Sequence, residues 1–121
     1  MQNSIKSEEH VMQKRINEKK RVLALTDGHC YYCGCEITME NFHIEHFLAK
    51  SIFHKNKGNR VPACSDCNHI KSNHTLKRFK EILEGYKTES IQVRLMDKYR
   101  DKMDEQGNIT FYYETKHLDP I

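Results

Sequence analysis

The sequence predicts a small α+β domain held together by its cysteines, on three observations. Cys30-x-x-Cys33 and Cys64-x-x-Cys67 are two knuckle-type pairs separated by residues 34–63. Between them, the stretches 42–47 and 60–63 read as short strands. On either side, apolar residues recur at helical spacing. A chain of 121 residues, 37% hydrophobic and 31% charged, is one domain with a thin core. A metal staple offsets that deficit.

The elements follow in chain order. Residues 1–6 are polar and read as loose. A helix over about 7–25 is expected, with Ser7 as cap and Glu8 and Glu9 at the positive end of its dipole. Val11, Met12, Ile16 and Leu23 would form its inner stripe, with Lys14, Arg15, Lys19, Lys20 and Arg21 outside. Thr26-Asp27-Gly28 ends it, and Gly34 gives the chain freedom to turn after the first cysteine pair.

Phe42, Ile44 and Phe47 form the apolar side of the first strand, which puts His43 and Glu45 on the other. Residues 51–58 are the connecting loop. A helix starts near Asp66 or Cys67, where Asn68 and Lys71, three apart, share a face. Thr75 caps a further helix carrying Leu76, Phe79, Ile82, Leu83 and Tyr86 inward, which weakens at Gly85. Ser90 caps another, with Ile91, Leu95, Tyr99 and Met103 as core. After the Gln106-Gly107-Asn108 turn, residues 109–114 are expected as a strand that packs on the rest or pairs with another chain. The C-terminal helix and strand span about 90–115.

The cysteines decide the metal question. Two CxxC pairs are the spacing of one tetrahedral zinc site, Cys30, Cys33, Cys64 and Cys67. Five cysteines are an odd number, and no signal peptide precedes them, so a disulfide framework is disfavoured. Cys35 is left over as a small packing residue. Reduced thiols and no targeting segment point to the cytoplasm. No apolar run approaches the roughly 20 residues of a membrane span. A net charge of +3 permits a nucleic-acid partner without requiring one.

Inside this frame stand Ile44-Glu45-His46, Gly58-Asn59-Arg60-Val61-Pro62-Ala63-Cys64 and Cys67-Asn68-x-x-Lys71. Together with Cys30-x-x-Cys33-Gly34, this ordered set resembles the HNH endonuclease family over about residues 22–84. Asn68 stands where many members have His, which makes this an HNN version; Ala49 replaces a frequent proline. The resemblance implies a zinc-stapled ββα-metal finger flanked by helices, and a phage or bacterial origin. It also implies a metal-dependent DNA endonuclease.

That chemistry needs a deprotonated water, neutralised phosphate charge and help for the leaving oxygen. His46 suits the general base. Glu45 and Asn68 offer hard oxygens to one Mg²⁺ or Mn²⁺. By resemblance, Asn59 braces the loop and orients His46. Lys71 would meet a phosphate, and Lys19, Lys20 and Arg21 would track the DNA backbone. Taken singly, each of these residues reads as surface, turn or helix-cap chemistry; only their order and spacing argue for a site. The alternative is a non-catalytic zinc module that binds nucleic acid or protein. Oligomeric state stays open, a homodimer included.

Overall fold

A computed structural model describes residues 2–48, 59–85 and 97–118. The order is α1 (Gln2–Ala24), β1 (His43–His46), β2 (Arg60–Ala63), α2 (Ser65–Lys71), α3 (Leu76–Gly85), a 3₁₀ turn (Arg100–Lys102) and α4 (Tyr112–Thr115). This is the expected α+β architecture. The connecting loop 51–58, Ala49, Tyr86, Ser90, Ile91 and Leu95 lie outside the described residues.

Helix α1 begins at Gln2, several residues earlier than expected, because no Gly or Pro interrupts the run from Gln2 to Ala24. Its anticipated inner stripe is corrected too. Val11, Met12 and Ile16 are exposed, and Val22 is the residue that is buried. The last turns of α1 reach the rest of the domain. There Lys19 donates to Met39 O at 2.8 Å and sits 5.0 Å over the Phe42 ring. The helix ends as anticipated: Gly28 takes φ +83° and its N–H returns to Leu23 O at 3.2 Å.

Strands β1 and β2 pair antiparallel, His46 opposite Arg60 and His43 opposite Ala63. Pro62 is tolerated because each strand of a two-stranded sheet is an edge. The phase of β1 differs from expectation. Ile44 and His46 are half-buried, whereas Glu45 points into the core. Its charge is accepted there because two donors wait for it, as described below.

Helix α2 is capped by Cys64, whose sulfur accepts from Cys67 N. Thr75 caps α3 as anticipated, its Oγ1 accepting from Arg78 N at 3.1 Å. The strand expected over 109–114 is replaced by one bridge, Ile109 to Met103, followed by the helical turn α4. The reason is that this segment docks end-on against the first knuckle. Tyr112 N donates to Tyr32 O at 2.8 Å and Tyr113 N to Tyr31 O at 2.9 Å. With its amides committed to a knuckle, the segment has no ladder to join.

Aromatic rings fill the core between knuckle, α3 and α4. Tyr31 stacks on Tyr113 at 4.6 Å, and Tyr32 meets Phe79 at 5.4 Å and Phe111 at 5.3 Å edge-on. Lys80 pairs with Glu114 at 2.6 Å, tying α3 to α4. The C-terminal segment therefore packs on the finger.

Candidate metal centre and adjoining cleft

Cys30, Cys33, Cys64 and Cys67 are all buried, and their sulfur atoms lie within 4.8 Å of one another. The Cys33 and Cys64 sulfurs are 3.8 Å apart. A regular tetrahedron with Zn–S bonds of about 2.3 Å has edges of about 3.8 Å. The geometry and the soft donors both fit zinc, and all five cysteines are free thiols.

Four thiolates around a dication leave excess negative charge, and the surroundings answer it. Cys64 N points at Cys30 Sγ at 3.4 Å. Tyr99 hydroxyl lies 2.9 Å from Cys67 Sγ, and Lys98 Nζ 3.4 Å from Cys64 Sγ. Burial works against the Lys98 charge, but Asp66 at 2.9 Å and the neighbouring thiolates hold its pKa above the ordinary lysine value. Such partners orient the ligands and tune the site. Cys35, half-buried, lies 4.0 Å from Lys98 Nζ and interacts with Cys30, Cys33 and Cys64 without joining the set of four mutually close sulfurs.

A cleft of about 410 Å³ adjoins this centre, lined by Ile44, Glu45, His46, Asn68, His69, Ser72 and Asn73. The end of β1 supplies Glu45 and His46; α2 supplies Asn68. Because Cys64 caps α2, Asn68 sits a turn inside the helix, so its side chain is not the cap. His43 is exposed and lines no part of the cleft.

Asn59 is completely buried, and its side-chain amide pairs with both backbone groups of one residue, Leu48. Its Oδ1 accepts from Leu48 N and its Nδ2 donates to Leu48 O, both at 2.8 Å. Its own carbonyl accepts from Phe47 N at 2.7 Å. Three hydrogen bonds thus fix the backbone just beyond His46.

Lys71 is corrected. It is fully buried, with Nζ 2.7 Å from Glu45 Oε1 and 2.9 Å from His46 O, and it is not a surface group awaiting phosphate. Glu45 Oε2 accepts from the Tyr32 hydroxyl at 2.6 Å. Burial raises the Glu45 carboxyl above its ordinary value, with Lys71 and Tyr32 pulling the other way. Burial, then the Glu45 charge, pushes the Tyr32 hydroxyl well up, so it remains a donor.

Of the remaining basic residues, Lys19 is spent on Met39 and Phe42, while Lys20 and Arg21 are exposed near the end of α1. The sequence reading missed Tyr32, Lys98 and Tyr99 as site partners. The Tyr31-Tyr32 pair inside CxxC was the one available signal, since large rings in a knuckle need a core to enter.

No family model and no curated protein matches the chain. A Type II-C Cas9 enzyme from Actinomyces naeslundii is similar in structure at TM-score 0.48 and 21% identity. That match covers 66% of this chain and 10% of the Cas9 chain. Among the described residues, no helix is long and apolar enough to cross a membrane.

Proposed function

We propose that the chain is a metal-dependent DNA endonuclease of the HNH type. The observation that carries this reading is the convergence of Glu45, His46 and Asn68 on one cleft beside the cysteine centre. The motif resemblance supports it, as does the Asn59 grip on Leu48.

The carboxylate of Glu45 and the amide oxygen of Asn68 are hard donors of the kind that suits Mg²⁺ or Mn²⁺. Glu45 and Asn68 would hold that ion; when bound, it supplies charge neutralisation at phosphate and leaving oxygen. His46 takes the proton from the attacking water as the P–O3′ bond breaks. Asn59 keeps His46 in place through the Leu48 backbone. Lys20 and Arg21 meet the backbone phosphates. The zinc site holds β1, β2 and α2 in register and takes no part in the reaction.

A non-catalytic zinc module is the second reading. It is favoured by one observation, that both Glu45 oxygens already have protein partners. Supercoiled plasmid separates the two. Wild type with Mg²⁺ or Mn²⁺ should nick or cut it, EDTA should stop the reaction, and His46→Ala should lose about 10²–10⁴-fold in rate while still binding DNA. Lys20→Ala and Arg21→Ala should weaken binding and flatten its salt dependence. His46→Ala cleaving like wild type would end the nuclease reading.

A further inference from the structure

The pair Glu45–Lys71 raises a question that the proposed reaction leaves open. A carboxylate intended for a divalent ion has its Oε1 held by a fully buried ammonium at 2.7 Å and its Oε2 by a phenol at 2.6 Å. The ammonium cannot retreat to solvent, because it also binds His46 O at 2.9 Å and is 0% exposed. Glu45 is nevertheless one of the residues that line the cleft, with His46 and Asn68. Each carboxylate oxygen has two lone pairs, so sharing is chemically allowed.

We propose that Lys71 is an internal stand-in for the divalent ion: it neutralises Glu45 in the resting protein, and an incoming cation has to share that carboxylate with it. Lys71 is then a positioning residue. It sets the affinity of the cleft for Mg²⁺ or Mn²⁺, and through the His46 carbonyl it ties the base to the same carboxylate. This rests on the nuclease reading for the kind of ion expected and for the coupling of metal loading to DNA.

The consequence is a weak metal site by construction. A protein cation beside the ligand repels a second cation, and the Tyr32 hydroxyl withdraws a lone pair from it. Substrate phosphate, arriving with its own oxygens, supplies what Glu45 gives only in part. Metal loading is thereby coupled to DNA binding, and idle protein carries little reactive metal.

Manganese binding to the zinc-loaded protein, read as free Mn²⁺ by electron paramagnetic resonance without DNA, tests this directly. Lys71→Met removes the competing charge at similar volume, and should tighten Mn²⁺ at least tenfold. It should also make the melting temperature rise with Mn²⁺ more than in wild type. Adding Glu45→Gln to Lys71→Met should abolish both gains, which a merely structural role for Lys71 would not produce. Tyr32→Phe keeps the ring in its aromatic packing and drops only the donor to Oε2, so it should tighten Mn²⁺ several-fold even if Lys71→Met fails to fold. Unchanged Mn²⁺ affinity in Lys71→Met, or in Tyr32→Phe where Lys71→Met does not fold, overturns the proposal. Mn²⁺ binding as described in a chain that cuts no DNA would support it and would sink the nuclease reading separately.

Discussion

Gly34 meets two demands at once. Its φ is +80°, and a Cβ there would stand 2.7 Å from Tyr112 Cδ2. Left-handed backbone at a non-glycine residue costs about 1–3 kcal/mol, and crowding a packed site costs about 1–3 kcal/mol more. Gly34→Ala should therefore lose about 2–6 kcal/mol in urea unfolding of the zinc-loaded protein. Gly85→Ala, where an added Cβ meets nothing within 4 Å, should be neutral or slightly stabilising. Equal stability of Gly34→Ala and wild type would mean that Tyr112 does not lie over the knuckle. The turn at Gly34 was legible in the CxxCG spelling because its cause is local. Tyr112 was not, because nothing in a sequence says which distant ring will cover a knuckle.

The same division between local and remote causes runs through the elements. The Thr75 cap, the Gly28 break and the α3 stripe were readable, since Thr75, Gly28 and the Phe79–Leu83 spacing act within a turn of themselves. The phase of β1 was not. Alternation puts Glu45 outside only if nothing inside can pair with it, and Lys71 and Tyr32 come from 26 and 13 residues away. Residues 109–114 have strong strand propensity, yet their amides go to Tyr31 and Tyr32 carbonyls and α4 forms. Propensity yields to tertiary demand here. The docking should be measurable. Phe111 is fully buried between Tyr32 and Phe79, so Phe111→Ala should cost about 3–5 kcal/mol. Exposed Thr110→Ala should stay within about 0.5 kcal/mol of wild type. A silent Phe111→Ala would detach the C-terminal segment from the finger.

For the whole molecule, the cysteine centre and the aromatic core are one structure. Tyr31 and Tyr32 lie within the first pair, Tyr99 reaches Cys67, Phe111 packs on Tyr32, and Tyr113 packs on both tyrosines. Loss of the metal cannot then remain local. Structural zinc is worth about 10–16 kcal/mol of apparent binding energy, and a typical domain is stable by only about 5–15 kcal/mol. Removing zinc should unfold the chain rather than loosen one loop. The chain has no Trp and six Tyr, so its near-ultraviolet circular dichroism reports these buried rings. On titration with a strong chelator, the tyrosine signal and the far-ultraviolet helix signal should fall together. The mass of bound metal should drop from one zinc per chain to none. Cys64→Ser should reproduce that state without chelator, because it removes one of the four clustered sulfurs while leaving a competent helix cap. Cys35→Ser should keep both zinc and fold, since Cys35 stands outside the cluster. A chelated protein that kept its tyrosine signal would show that the aromatic core stands alone, and a Cys35→Ser protein without zinc would move the site.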